Sequence, residues 1–130
     1  MATKEFPLEP VAVPKVETKH RRIRTALPVP ESLPLLTEMR NAECRSMRGQ
    51  PPIIWDRGDG FHILDPYGNR WLDFSSGVLV TSCGHGHPKI LAALSRMIEK
   101  GLYHAYCFPT EIRAKLAAKL SSLVPRPLKE

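Results

Sequence analysis

Residues 65–88 have the sequence DPYGNRWLDFSSGVLVTSCGHGHP, and this stretch decides the fold. Its first residues place a proline where a turn needs φ of about −65°, followed by a glycine where a turn needs positive φ. Residues 70–74 then resume an extended pattern, and residues 84–88 combine two glycines with a proline that suits the first turn of a helix. The stretch therefore predicts a tight turn, a strand, a loop and the start of a helix.

Two further strands are predicted upstream of this stretch. Residues 53–55 and residues 61–64 are short apolar runs, and the glycines between them, in residues 57–60, favour a turn. Together with residues 70–74 they predict a three-stranded antiparallel meander. We interpret the aromatic residues of the meander as packing groups, as is usual for a half-buried sheet: Trp55, Phe61, Trp71 and Phe74.

Three helices are predicted around the meander. Ser32 is the expected N-cap of a helix that runs to about Met47, where glycine and proline end it. A second helix starts at Pro88 and carries apolar residues at helical spacing up to Gly101. Thr110 is the expected cap of a third helix, which ends before Pro125. The predicted class for this chain is α+β.

Residues 1–30 differ in composition, because prolines are concentrated there and apolar periodicity is weak. We expect them to form an extended, poorly ordered arm. The formal net charge is +6, and the arm carries a short basic cluster without aromatic stacking partners in the sequence. This favours a solvated or intersubunit arm, with a small basic nucleic-acid-binding protein as an alternative. The cluster comprises Lys19, His20, Arg21, Arg22 and Arg24.

Cysteine spacing and hydropathy indicate in which cellular compartment the protein is expected. The cysteines Cys44, Cys83 and Cys107 have no paired spacing, which argues against a secreted disulfide scaffold. The sequence has no signal-peptide core and no apolar run long enough to span a bilayer. We expect a cytoplasmic protein without a membrane partner, and the arginine-rich arm leaves a mitochondrial location open.

The cysteines and histidines of residues 83–107 raise two chemical alternatives. Their spacing departs from the two-armed pattern of structural zinc sites, so we expect no metal. A Cys–His nucleophile pair would need an orienting acid, and the sequence offers none nearby. We interpret the histidines as hydrogen-bonding groups of a glycine-containing turn. The candidate donors are Cys83, His85, His87, His104 and Cys107.

Residues 75–83 contain no charged residue and show no clean alternation. They predict a buried connecting loop. Such loops tend to line an interface or a ligand site, because their backbone polar groups all need partners.

Residues 50–105 resemble class III aminotransferases. The resemblance rests on the order and spacing of five elements, and it extends weakly through residues 110–123. The elements are Gln50–Pro52, the turn Asp65–Gly68, Trp71–Asp73, the pair Ser76 and Gly77, and the turn Gly84–Pro88.

The resemblance implies the type I fold of the aspartate aminotransferase superfamily and a homodimer with active sites at the subunit interface. It implies the α/β class for the whole protein. Composition sets apart the flexible arm 1–30, and the resemblance divides the rest into a small-domain segment 31–87 and residues 88–130, the first helices that lead into a large domain absent from this chain. The family transfers an amino group between an amine or amino acid and a keto acid, with pyridoxal phosphate as cofactor.

The family's Schiff-base lysine, the acid that pairs with the pyridine nitrogen and the phosphate loop match no residue of this chain. The resemblance therefore implies an amino-terminal fragment that is inactive alone, and it assigns no catalytic, cofactor-binding or metal-binding residue. It does assign Gly77 and Val78 to the substrate side of the pocket, with interface packing as the competing interpretation of Val78. A non-catalytic interaction module that reuses the start of the fold remains an alternative.

The predicted helices also affect how the chain is expected to behave in solution. Their apolar stripes would have only each other to cover, and each exposed large apolar side chain forfeits about 1.5–3 kcal/mol. We therefore expect an aggregation-prone or partner-dependent chain.

Overall fold

The computed structural model describes residues 5–44, 47, 49–102 and 105–125. These residues form a five-stranded antiparallel sheet and four helices, so the predicted α+β class is confirmed. The chain divides into two compact units, of which the first ends at Pro88 and the second begins at Lys89.

The sheet belongs to the first unit, and its strand order is β1-β2-β5-β4-β3. Neighbouring strands are antiparallel throughout, with Ile63 opposite Trp71 and Arg22 opposite Arg70. The small core includes Ile23, Val29 and Ile63, which are 6%, 4% and 2% exposed. The strands are β1 (Val16–Glu17), β2 (Arg22–Ile23), β3 (Arg57–Asp59), β4 (His62–Leu64) and β5 (Arg70–Leu72).

The sheet corrects the predicted three-stranded meander in its number of strands and in the position of its first predicted strand. The first of the three predicted strands lies at Arg57–Asp59, which the sequence predicts as a turn, and not at residues 53–55. Gly60, with φ of 57°, provides the only positive φ of the turn that joins β3 to β4. Glycine with positive φ at the first central position is the arrangement of a type II′ hairpin turn, which needs one such residue.

Strands β1 and β2 lie within residues 1–30, where the sequence predicts a flexible arm. The two strands pair with each other, and β2 also pairs with β5. In addition, the backbone N–H of Arg24 donates to Oδ1 of Asn69 at 2.7 Å. Two-residue strands are too short to produce a detectable alternation, which is why the sequence pattern does not indicate them.

The basic cluster of the arm is largely engaged within the chain. Glu17 accepts from Nε of Arg22 at 2.7 Å and from Nη2 of Arg24 at 3.0 Å. The hydrogen bond from Arg22, assisted by Arg24, holds the pKa of Glu17 below its usual value. The ring of His20 stacks on His62 with centroids 5.6 Å apart. These contacts weaken the electrostatic case for a nucleic-acid-binding tail.

The helices are α1 (Leu33–Ala42), α2 (Ser76–Leu79), which is a single left-handed turn, α3 (Pro88–Glu99) and α4 (Glu111–Leu123). Helix α1 is shorter than predicted, because Glu43 is already extended. Ser32 does not cap it, since its hydroxyl instead donates to the carbonyl of Val29 at 2.6 Å. Thr110 caps α4 as predicted, accepting from the N–H of Arg113 at 3.3 Å. No helix in the described ranges has the length and apolar character needed to cross a membrane.

Helices α3 and α4 of the second unit leave their apolar stripes exposed. The exposed fractions of these side chains lie between 45% and 78%. Whether this chain aggregates or needs a partner to cover the stripes stays a prediction. The stripes are Ile90, Leu91, Leu94 and Ile98 on α3, and Ile112, Leu116, Leu120 and Leu123 on α4.

Candidate functional site

The first unit contains an open cavity of about 590 Å³. Trp55, which precedes β3, and Trp71, which lies on β5, contribute to its wall together with Gly77 and Val78. Most of the remaining wall is apolar, with a few polar groups, and this is the usual composition of small-molecule sites in proteins. The other lining residues are Met47, Gln50, Pro51, Ile53, Ile63, Leu72, Asp73, Phe74 and Ser75.

Asp73 is the polar centre of this wall, and its side chain is only 2% exposed. Oδ1 accepts the backbone N–H of Ser75 at 2.9 Å and its hydroxyl at 2.7 Å. Oδ2 accepts the backbone N–H of Gly77 at 3.0 Å and lies 2.7 Å from Nε2 of His85. Both carboxylate oxygens of a nearly buried acid are thus fully used.

These contacts set the charge of Asp73. Burial alone would raise the pKa of the carboxyl, but the hydrogen bonds from Ser75, His85 and the N–H of Gly77 outweigh it. The net result lowers the pKa from 3.8 to about 2. Asp73 is therefore a carboxylate at neutral pH and can only accept, so the hydrogen bond requires that Nε2 of His85 carry a proton.

The loop that Asp73 holds is a single left-handed turn. Ser76, Gly77, Val78 and Leu79 have φ values of 52°, 59°, 64° and 66°. For L-amino acids this conformation costs about 1–2 kcal/mol per residue. It is closed by N–H groups of Leu79 and Val80, which donate to the carbonyls of Ser75 and Ser76 at 2.8 and 2.9 Å. Backbone strain of this kind concentrates at functional sites in proteins.

His85 is fixed to the sheet by its backbone. Gly60 and His85 exchange two hydrogen bonds, with N···O distances of 2.9 and 2.7 Å. A Cβ atom at Gly58 would overlap Cβ of His85, so this close approach requires glycine. The imidazole also meets the indole of Trp55 edge-on, with centroids 5.8 Å apart. The histidine therefore connects β3, the cavity wall and Asp73.

The structure places Gly77 and Val78 on the cavity wall, where the resemblance puts the substrate side. Val78 is 76% exposed in this chain. Their role in binding a substrate stays a prediction. Residues 75–83 differ from the predicted buried loop, because several of their side chains lie open to solvent. Phe74, predicted as a packing group, is also 94% exposed.

Sequence reasoning missed the pair of Asp73 and His85. It grouped His85 with the cysteines and found no orienting acid nearby. An available signal was the order Asp73, Ser75, Gly77, in which a carboxylate can accept the N–H groups two and four residues on. That signal does not reveal His85, which lies twelve residues away and meets Asp73 only through the sheet.

The two chemical alternatives of residues 83–107 gain no support from the geometry. In the described part of the chain, no cluster of three His, Cys, Asp or Glu side chains could hold a metal ion. His104 lies outside the described residues. Cys83 and Cys107 are exposed, and Nε2 of His85 is engaged with Asp73.

Comparison with known proteins identifies relatives of this chain. Residues 45–129 match the family model described as aminotransferase class-III. The chain is 38% identical over 79 residues to acetylornithine aminotransferase of Bifidobacterium longum (61% of this chain, 18% of that protein). It is 45% identical over 49 residues to mitochondrial ornithine aminotransferase of Oryza sativa subsp. japonica (38% and 10%). It is 35% identical over 80 residues to mitochondrial alanine–glyoxylate aminotransferase 2 of Pongo abelii (62% and 16%). The chain thus spans less than a fifth of the length of these relatives.

Proposed function

This chain belongs to the class III aminotransferase family, and we propose that it forms the substrate-side wall of a transaminase active site. The whole protein would transfer an amino group between an amine or amino acid and a keto acid. The observation that carries the proposal is the apolar cavity with Gly77 and Val78 on its wall. The names of the relatives, which include acetylornithine and ornithine aminotransferases, support this reaction class.

The family implies pyridoxal phosphate in the whole protein, where the cofactor supplies the electron sink for amino transfer. The described residues do not fit its covalent attachment, which requires a lysine set within the site. Each lysine in the described ranges is exposed: Lys15, Lys19, Lys89, Lys100, Lys115 and Lys119. We therefore propose that residues outside this chain hold the cofactor, and that the 130-residue chain alone is inactive.

Within the site, the contribution of this chain is binding and exclusion. Trp55, Trp71 and Val78 present apolar surface to the cavity, which favours the hydrocarbon part of a substrate and excludes water from it. The side chain at position 78 would limit how large that hydrocarbon part can be.

Substitution of Val78 tests this role in the whole protein. We expect Val78→Phe to raise KM for bulky amino donors about tenfold or more, with a smaller effect on short donors, because one added ring fills the wall of the cavity. Val11→Phe is the matched control, since Val11 is also exposed and lies outside the cavity lining. Equal effects of the two substitutions, or an equal loss for short and bulky donors, would contradict the proposed wall.

A second experiment tests the inactivity of the chain alone. The purified 130-residue chain should not retain pyridoxal phosphate stoichiometrically after dialysis, and it should not convert an amine and a keto acid. The whole protein should do both. Turnover by the isolated chain would refute this part of the proposal.

We further propose that the whole protein is a homodimer of fold type I. The support for a homodimer is a patch of uncharged side chains, Phe74, Leu79 and Val80, which are 78–94% exposed in this chain, while fold type I rests on the family resemblance. Adjacent apolar side chains this exposed are typical of surfaces that a partner covers. Analytical ultracentrifugation of the whole protein tests this, and a monomer at micromolar concentration would contradict it.

The cytoplasmic location and the absence of a nucleic-acid partner are also proposals. The pairing of Arg22 and Arg24 with Glu17 supports the second, because it reduces the free positive charge of the arm. A fluorescent fusion of the whole protein tests the compartment, with mitochondrial import as the opposing outcome. Salt-dependent binding to nucleic acid, lost when residues 1–30 are deleted, would contradict the second proposal.

A further inference from the structure

We infer that Asp73 and His85 are a positioning pair, which holds the left-handed turn Ser76–Leu79 in place and so sets where Val78 stands on the cavity wall. The inference deepens the proposed function, and only its substrate readout rests on that function. Its structural readout does not.

The first step of the argument is the strain in the turn. Ser76, Val78 and Leu79 have positive φ without being glycine, and Val78 is also β-branched, which makes this conformation rare for it. The side chains of Val78 and Leu79 are 76% and 85% exposed, so their own packing does not hold the turn. The backbone hydrogen bonds of Leu79 and Val80 close the turn on itself, so a group outside the turn is needed to fix it relative to the sheet.

Asp73 is the group that meets this need. Its oxygens accept the N–H of Ser75 at 2.9 Å and the N–H of Gly77 at 3.0 Å. One bond thus precedes the left-handed residues and the other lies among them. A carboxylate that bonds both amides fixes the direction in which the chain enters the turn.

The backbone N–H of Asp73 donates to the carbonyl of Phe61 at 2.9 Å, and His85 fixes the orientation of the carboxylate. Its imidazole lies 2.7 Å from Oδ2, the same oxygen that accepts the N–H of Gly77. The backbone of His85 is held to Gly60 by two hydrogen bonds, and its Cβ packs against Gly58. His85 therefore ties Oδ2 of Asp73 to the sheet. Loss of the imidazole would leave Oδ2 free to rotate away from Gly77.

The test uses the whole protein with three substitutions. His85→Leu removes the donor, and His85→Gln keeps an N–H donor at a similar reach. His87→Leu is the matched control, because His87 lies in the same turn of the chain and makes no hydrogen bond to Asp73. Amide hydrogen exchange is followed in the peptides that cover residues 74–82 and, as a reference, residues 62–72.

We expect His85→Leu to accelerate exchange in residues 74–82 about tenfold or more, since local opening governs this rate. The reference peptides should change by less than about twofold, and so should every peptide of His85→Gln and His87→Leu. Unchanged exchange in His85→Leu would overturn the inference. So would a similar acceleration in the reference peptides, which would make His85 a general stabilising residue and not a positioning one.

The substrate readout separates the inference from the proposed function. In His85→Leu, KM for a bulky amino donor should change at least about fivefold more than KM for a short donor, with rescue by His85→Gln. If the whole protein shows no amino transfer at all, the proposed function fails, and the exchange data still decide the inference. A uniform loss of kcat with unchanged KM ratios would overturn the link to Val78.

A second variant covers the case in which His85→Leu does not fold. Asp73→Asn keeps the size of the side chain and one acceptor oxygen but replaces the other oxygen by a donor. It should accelerate exchange at residues 77–81 in the same way. Wild-type exchange in this variant would equally overturn the inference.

Discussion

Two aspartates at opposite ends of β5 use one hydrogen-bonding pattern. Asp65, before the strand, accepts the N–H groups of Tyr67 and Asn69, two and four residues on, at 2.9 Å each. Asp73, after the strand, accepts the N–H groups of Ser75 and Gly77 at the same separations. Both carboxylates are nearly buried.

The two aspartates differ in the residues that supply their remaining hydrogen bonds. Asp65 also accepts from the side chains of Asn69 and Trp71, at 2.7 and 3.3 Å, so all its partners lie within six residues. Asp73 takes its last bond from His85, twelve residues away. The first turn is closed locally and carries its strain on a glycine, Gly68. The Asp73 turn needs a distant group and places its strain on residues whose side chains are exposed. We therefore interpret the Asp65 turn as a stabilising element of the sheet and the Asp73 turn as part of the candidate site.

The largest expected effect is that of Asp65→Ala on stability. The substitution removes the acceptor of four hydrogen bonds, although Nδ2 of Asn69 still donates to Thr25, and each unsatisfied buried group costs about 1–3 kcal/mol. We expect the free energy of unfolding of the whole protein, from urea titration, to fall by about 3 kcal/mol or more. Asp56→Ala is the control, because Asp56 is 46% exposed and, among the described residues, its carboxylate pairs with its neighbour Arg57. A loss no larger than that of the control would mean that the Asp65 turn does not stabilise the sheet.

Gly58→Ala should have the next largest effect and should loosen only the Asp73 turn. The new Cβ overlaps Cβ of His85, and overpacking of this kind costs about 1–3 kcal/mol. Gly68→Ala is the matched change in the Asp65 turn, where there is open space but φ is 89°. Both should lower the melting temperature, but only Gly58→Ala should accelerate hydrogen exchange at residues 74–82. The reverse pattern would mean that His85 does not hold the Asp73 turn in place.

Val78→Gly is expected to stabilise the protein. Glycine removes a cost of about 1–2 kcal/mol for a left-handed residue and adds an entropy cost of about 0.5–1 kcal/mol, so a net gain of up to about 1.5 kcal/mol is expected. Val80→Gly is the control, since Val80 has a φ of −111° and gains nothing from glycine. Its unfolding free energy should fall. Equal changes in both variants would argue against strain at Val78.

The last expected effect is a dependence of folding stability on pH, which arises from the carboxylate of Asp73. Its folded pKa of about 2 lies below the ordinary 3.8, so the ionised carboxylate stabilises the fold. This contribution is complete above about pH 4–5 and is lost as the pH falls towards 2. The difference in melting temperature between the wild type and Asp73→Asn should therefore be full at about pH 6 and shrink by about pH 2.5. A constant difference across this range would show that the charge of Asp73 does not matter.

The sequence predicts those features that depend on neighbours along the chain. The turn at Asp65–Gly68, the cap at Thr110 and the apolar stripe of α3 each follow from residues a few positions apart. Features that depend on contacts across the sheet were not predictable from the pattern. Strand β2 forms because β5 offers it a backbone partner, β1 pairs in turn with β2, and β3 pairs with β4.

The site divides in the same way. Gly77 and Val78 were assigned by resemblance, and the structure brings both to the cavity. The left-handed turn gave no signal, because serine, valine and leucine rarely adopt positive φ and no propensity argument would place them there. The Asp73–His85 pair depends on how the chain returns to β3, which the spacing of residues does not determine.

The two-way backbone pairing of Gly60 with His85 has a further consequence for β3. This strand is the last in its sheet, and an outermost strand normally offers unpaired N–H and C=O groups to other polypeptides. His85 occupies such groups where β3 ends and places its imidazole beside them. The pairing of Gly60 with His85 thereby leaves fewer edge groups open to hydrogen bonding with another sheet.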